Sequence, residues 1–381
     1  MSDFNFEPVK NLLDSFLEKG LPGFDFILYH KGECLFRHMN GVSSVEKQIP
    51  MNGNELYNIY SCSKPITATA TLMLVEQGKL SLEDKLSDYI PEYGQMYIKD
   101  TKLEASSTDG RWDGEGQSDS NSALLRPAKN PILIRDMLAM KAGFSYEFDA
   151  PSIRQCFKDT DGKCPTLKAI KAFAKEPLLY EPGEGHAYSL AHDILSAVIE
   201  VATGQKFGDF VKENIFDPCG MTRTTFNLPD ERLDEVCEQY VFNKETNIPE
   251  NCGKAIQHFK FGTEHESGGA GCVSTVEDYI KFLDALRAGK LISHETLDLM
   301  TTPQTTSEQY KNDLYGYGLG VRCPKEGSAA TDFGWGGHAG AYLAADRENE
   351  YSFFYAQHCV GVPDVFINQA VPMVREILQN K

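Results

Sequence analysis

The chain reads as strands at both ends with helices between them, and that segregation limits the folds open to it. Near the start, Phe24–His30 and Cys34–Met39 are two strand-like runs joined across Lys31-Gly32, the pattern of a hairpin. Near the end, Tyr342–Ala345 and Tyr351–Gln357 flank the polar stretch Asp346–Glu350 in the same way. Helical spacing dominates the middle, over Ser63–Gln77, Ile132–Met140, Thr166–Lys175, His192–Thr203 and Phe207–Ile215, with another helix at Val276–Ala288. In Ser63–Gln77 the face Ile66, Ala70, Met73 and Leu74 is apolar. Two more helices bracket the chain. Val9, Leu12, Leu13, Phe16 and Leu17 line one face of a helix over Pro8–Lys19, and Asp364–Gln379 closes the sequence, interrupted by Pro372. Segregated strands and helices predict an α+β protein with an antiparallel sheet flanked by the N- and C-terminal helices. The sheet is expected from residues 1–60 and 265–381, with a mainly helical domain, residues 61–264, inserted between them. A long polar loop over residues 97–130, carrying Trp112, is expected as a lid or an insertion.

Charge and targeting signals narrow the partners. With 37 basic and 55 acidic residues among 381, the net charge of −18 argues against binding to nucleic acid or to an anionic membrane. The first residues carry no basic n-region and no apolar h-region, and no apolar run is long enough to span a bilayer, so a cytoplasmic protein is expected. Ten cysteines are scattered without a C-x-x-C, which reads as reduced thiols rather than a disulfide framework. The histidines form no H-x-H or H-E-x-x-H, so neither a metal nor an organic cofactor is expected.

The motif with chemistry in it is Ser61-Cys62-Ser63-Lys64, an S-x-x-K at the start of the Ser63–Gln77 helix. A serine hydroxyl is a weak nucleophile until a neighbouring base takes its proton. Residues i and i+3 share a helical face, so Lys64 reaches back to Ser61. A lysine acts as base only after its hold on the proton is weakened by about 4 kcal/mol, through burial or neighbouring groups. Ser61, at a helix N-terminus, also offers its own N–H to a developing oxyanion. The tetrapeptide recurs by chance about once in a chain of this length, and a second copy, Ser44-Val45-Glu46-Lys47, follows the polar turn Asn40–Ser44 with no helix after it. No G-x-S-x-G and no P-loop is present, and Gly334–Ala339 fits G-x-G-x-x-A only by letter.

Two further segments give the first copy its context. Tyr180-Glu181-Pro182-Gly183 through Tyr188-Ser189-Leu190 precedes the His192–Thr203 helix, and Trp335-Gly336-Gly337-His338-Ala339-Gly340 precedes the Tyr342 strand. In this order the three resemble the serine β-lactamase-like family of class C β-lactamases, DD-peptidases and related esterases, where S-x-x-K is followed by Y-x-N and then by K-T-G or H-x-G. Thr203-Gly204, Ile215-Phe216-Asp217-Pro218, Gly268-Gly269-Ala270-Gly271 through Ser274-Thr275, and Gly316-Tyr317-Gly318-Leu319-Gly320 are similar to other stretches of that family, over about residues 24 to 360. The resemblance implies Ser61 as nucleophile, Lys64 as its base partner and Tyr188 as the phenol that shuttles a proton. It also implies backbone N–H groups of Ser61 and Ala341 as oxyanion donors, with His338, Gly340 and Leu190 lining the substrate site.

Two departures shape the expected substrate. Leu190 stands where the motif has Asn, removing a polar contact to Lys64 and to a substrate amide, a loss for which His192 and Asp193 are candidate replacements. Taken alone, Asp193 also reads as an exposed first-turn acid. His338 stands where a permanently charged Lys would anchor a carboxylate. The expected activity is therefore acyl-enzyme hydrolysis of small carboxylic esters. The alternatives are a DD-peptidase or β-lactamase, and a catalytically silent member that uses the fold for binding or assembly.

Overall fold

Side chains along β1 and its neighbours alternate between two buried layers, and this accounts for a sheet covered on both faces. In this computed structural model, which describes residues 4–99, 125–253 and 259–380, the central sheet has eight strands. They are β1 (Gly23–His30), β2 (Glu33–Ser44), β3 (Ile49–Pro50), β4 (Tyr315–Tyr317), β5 (Arg322–Pro324), β6 (Asp332–Gly336), β7 (Tyr342–Asp346) and β8 (Tyr351–Gln357). Their order is β4-β5-β6-β7-β8-β1-β2-β3, antiparallel throughout, so strands from the two chain ends meet where β1 pairs with β8. The architecture is α+β, as the segregated pattern predicts.

Phe24, Phe26 and Leu28 of β1 and Tyr351, Phe353 and Tyr355 of β8 face one layer. Helices α1 (Glu7–Glu18) and Ala370–Gln379 cover it with Val9, Leu13, Phe16, Val371 and Val374. Ile27, Phe354 and Ala356 face the opposite core, where Tyr279 of helix Val276–Arg287 stacks on Phe354 with ring centroids 4.0 Å apart. That helix starts where the Thr275 side chain accepts a hydrogen bond from the Asp278 N–H.

Three sequence expectations need correction. The Asn40–Ser44 stretch is not a turn but the end of β2, bent where Gly41 takes φ +87° and its Cα passes so close to the Pro22 carbonyl that any side chain would clash. Pro372 does not interrupt the last helix. It occupies the first turn of Ala370–Gln379, where the backbone N–H groups have no helical partner to lose. The helix expected over Ile132–Met140 shrinks to Ile134–Leu138, because Met140 turns the chain with φ +56°. The ends of the expected 97–130 loop pair as Tyr97–Lys99 with Leu125–Pro127. The rest of that loop, Trp112 included, lies outside the described residues.

Candidate active site

The site begins with a forced turn. After the short strand Tyr57–Asn58, Tyr60 adopts φ +47°, sparsely populated for a residue with a side chain, and starts a 3₁₀ turn over Tyr60–Cys62. Helix Ser63–Glu76 follows and is buried on nearly every side, more fully than the single apolar face expected from sequence. Its hydroxyls are satisfied locally. Thr69 donates to the Pro65 carbonyl at 2.7 Å, Thr71 to the Thr67 carbonyl at 2.9 Å, and Thr67 to the Gly268 carbonyl at 2.7 Å. A helix so enclosed fixes Lys64 firmly.

Lys64 is wholly buried. Its Nζ donates to the Gly269 carbonyl at 2.8 Å and to Ser61 Oγ at 3.4 Å. Tyr188 Oη donates to the same Ser61 Oγ at 2.5 Å, and Lys64 Nζ lies 4.4 Å from the centroid of the Tyr188 ring. Trp335 stacks on Tyr188 with ring centroids 5.9 Å apart. Tyr146, which sequence reading missed, packs against Tyr188 with ring centroids 5.0 Å apart and lies 5.6 Å from Lys64 Nζ. Burial first, then the neighbouring Tyr188 and Asp193, push its phenol well above the usual range, so it stays protonated.

The polar group beside Lys64 is Asp193, not residue 190. Leu190 is fully buried, donates its N–H to the Ser145 carbonyl and does not line the pocket. Asp193, three residues on in helix Ala191–Thr203, is buried and not the exposed first-turn acid that composition also allows. Its Oδ1 accepts from Ser267 Oγ at 2.5 Å. Burial raises its carboxyl above the usual range, opposed by the charge of Lys64 and by hydrogen bonds from Ser267 and the Gly269 N–H. A Cβ at position 269 would come within 2.3 Å of Asp193 Oδ2 and 3.4 Å of Lys64 Nζ, so only glycine lets the backbone pass there. His192 is also buried, and burial together with Lys64 holds it far below its usual range, keeping it neutral.

Ser61 opens into a pocket of about 460 Å3 walled by Tyr146, Tyr188, Phe259, Trp335, Tyr310, Arg322 and Tyr342. The strand edge beside Ser61 is Trp335-Gly336-Gly337, followed by His338, whose exposed ring sits edge-on to Tyr60 and Phe259. Gly340 and Ala341 are not among the lining residues. The Gly337 N–H donates to the Ala341 carbonyl and the Gly340 N–H to the Gly337 carbonyl, so residues 338–340 form the turn between β6 and β7. The His-Ala-Gly triplet is thus the turn that follows the strand beside the site, with His338 still on the pocket wall and Gly340 beyond it.

A larger cleft, about 840 Å3, opens beside Lys31, Asp284 and Arg287 and shares no residue with the Ser61 pocket. Among the described residues no cluster of three His, Cys, Asp or Glu is arranged to hold a metal ion, and no helix is long and apolar enough to cross a membrane.

The second S-x-x-K lies elsewhere. Ser44 ends β2 and donates to Glu238 Oε2 at 2.9 Å, while Lys47 is 67% exposed and pairs with Glu238 Oε1 at 3.4 Å. Tyr146, Phe259, Arg322 and Tyr342 carry no local motif. The matched Gly316–Gly320 stretch lies two residues before Arg322, and the Trp335–Gly340 segment leads into the strand that starts at Tyr342.

Comparison with known proteins places this geometry in a family. The family model described as Beta-lactamase matches residues 9–370. Protein Rv1367c of Mycobacterium tuberculosis is 25% identical, over 97% of this chain and 92% of its own length. Esterase EstB of Burkholderia gladioli is 28% identical over 86% of this chain and 76% of its own. Among solved structures, EstCE1, a hydrolase with promiscuous acyltransferase activity, superposes with a TM-score of 0.76 at 22% identity, covering 97% of each chain. The chain is a member of the Beta-lactamase family, an enzyme of the serine-hydrolase kind with the β-lactamase/transpeptidase-like fold.

Proposed function

We propose that this protein cleaves small carboxylic esters through an acyl-enzyme formed on Ser61. The observation that carries the reading is the convergence of Tyr188 Oη (2.5 Å) and Lys64 Nζ (3.4 Å) on Ser61 Oγ at the floor of an aromatic pocket. In this mechanism the Lys64–Tyr188 pair takes the Ser61 proton as Oγ attacks the ester carbonyl. The oxyanion is held by backbone N–H groups, that of Ser61 and a second from the strand edge beyond Trp335. His338, which lines the pocket, suits that second role better than Ala341, which sits beyond the turn. Tyr188 returns the proton to the departing alcohol, and water then enters by the reverse path to release the acid.

Several observations favour an ester over an amide or β-lactam. Leu190 offers no side-chain contact to a substrate amide. Two of the similar proteins are named as an esterase and a hydrolase. Transfer of the acyl group to an alcohol other than water is the second reading, favoured by the promiscuous acyltransferase activity of EstCE1. All ten cysteines are free thiols, which supports a reducing, cytoplasmic setting. The net charge of −18 supports a small-molecule partner over nucleic acid or an anionic membrane.

The test is the turnover of p-nitrophenyl butyrate by wild type and Ser61→Ala. Loss of kcat by more than about 10³-fold, with circular dichroism unchanged, is expected. Unchanged turnover in Ser61→Ala overturns the assignment.

A further inference from the structure

We propose that the cleft beside Lys31, Asp284 and Arg287 is a second ligand site, independent of Ser61, and that it takes a zwitterion: a free amino acid or a short peptide. The cleft holds about 840 Å3, a size that suits small metabolites, and shares no residue with the Ser61 pocket. The buried charges in its lining are Asp284 and Arg287, on the last turn of helix Val276–Arg287, 5% and 7% exposed. Arg287 donates to Asp284 Oδ1 from Nε at 3.1 Å and from Nη2 at 2.8 Å, and Ser352 Oγ of β8 lies 3.2 Å from both side chains. These contacts fasten the helix to the sheet with one carboxylate oxygen and two guanidinium nitrogens. The other oxygen, Oδ2, and the other nitrogen, Nη1, have no hydrogen-bond partner among the described residues, and neither is sealed from solvent.

A buried guanidinium and carboxylate are costly to desolvate unless their remaining groups are matched. An open donor on one and an open acceptor on the other, in side chains already in contact, are matched by a ligand with a carboxylate and an ammonium on adjacent atoms. The rest of the lining carries both signs. Lys31 Nζ pairs with Glu350 at 3.6 Å, Arg347 pairs with Asp298 outside the cleft, and the exposed Lys290 and Glu348 add one charge of each sign. Neither a simple anion nor a simple cation complements that balance, whereas a zwitterion does. A ligand of zero net charge also escapes repulsion by the overall charge of −18. Pro324 and Phe333 give the lining an apolar part that an aliphatic side chain would cover.

The test is isothermal titration of the full chain with L-leucine, with N-acetyl-L-leucine, which lacks the ammonium, and with L-leucinamide, which lacks the carboxylate. L-leucine is expected to bind with Kd below about 1 mM and at least about tenfold more tightly than either analogue. Two variants locate the binding. Arg287→Lys keeps the charge and the contact with Asp284 but removes the open nitrogen, and should weaken L-leucine by about tenfold. Ala288→Trp fills the cleft from its lining and leaves the ion pair's own atoms in place, so binding should be lost while circular dichroism stays as in wild type. The analogue series in wild type decides the matter even if Arg287→Lys does not fold. No binding of L-leucine at about 10 mM, equal binding of L-leucine and N-acetyl-L-leucine, or binding unchanged in Ala288→Trp overturns the proposal.

Discussion

Ser61 and Lys64, and Ser44 and Lys47, stand at the same spacing in surroundings that share almost nothing. Around Ser61 the lysine is fully buried, a half-buried phenol (Tyr188) touches the hydroxyl, and a buried carboxylate (Asp193) lies beside the amine. Around Ser44 the lysine is 67% exposed and tied to Glu238, the serine donates to the same carboxylate, and Tyr240 Oη donates to Glu46 at 2.7 Å with Glu238 3.1 Å away. The second group therefore has its own serine, lysine, phenol and acid. There, however, the phenol and serine both point at carboxylates, and the lysine sits in water. Ser44 lines no part of the aromatic pocket. The difference teaches that the spacing is permissive, and that burial and the direction of hydrogen bonds determine what it does.

The largest contrast expected lies in the lysines. Lys64→Met should lower kcat for p-nitrophenyl butyrate by about 10³-fold or more, within the range for loss of a general base, while Lys47→Met leaves it within about twofold because an exposed ion pair is worth little. Comparable losses in both variants would erase the distinction. Next come the phenols. Tyr188→Phe should cost about 10²-fold in kcat at nearly unchanged KM. Tyr240→Phe, which removes the hydroxyl that donates to Glu46, should cost about 1 kcal/mol of stability in urea unfolding and leave kcat alone. A kcat loss in Tyr240→Phe would mean the two groups communicate.

Acid separates the regions as well. Two buried histidines are held below their ordinary range chiefly by burial, His358 near the Ser44 side at about 4, and His265 near Asp193 at about 3. A depressed value means the folded state resists protonation that the unfolded chain accepts. Each histidine's contribution is therefore full above about pH 6.5 and is lost as pH falls through its folded value. His358 gives way first. It accounts for about 3 kcal/mol of destabilisation by about pH 4, an order of magnitude taken from the size of its shift. Chemical denaturation of wild type at about pH 7 and about pH 4.5 should show the fall, and His358→Asn should shrink it, whereas an identical fall in the variant would remove His358 as its source.

Much of this was legible in the chain because the signals are local. The hairpins at Lys31-Gly32 and at residues 346–350 announced themselves by alternation and polar turns, and the helix after Ser61 by its spacing. The rest depended on distant residues. Asn40–Ser44 looks like a turn by composition, but its groups pair with Pro22 and Gly23, which no local pattern reveals. The His-Ala-Gly triplet matched a strand motif by letter, but Gly340, with φ +102°, makes it a turn and shifts the pocket edge back to Trp335-Gly336-Gly337. Tyr146, Asp193 and Arg322 become a site only through packing. Of these, sequence reading raised Asp193 alone, from its place next to Tyr188.

The central claim, that acyl transfer runs through Ser61, is tested most directly by trapping the adduct. Wild-type protein treated with a fluorophosphonate and then digested should carry one modification, on the peptide containing Ser61, and prior incubation with p-nitrophenyl butyrate should slow its formation. Modification of Ser44 instead, or equal labelling of Ser61→Ala, would contradict the account.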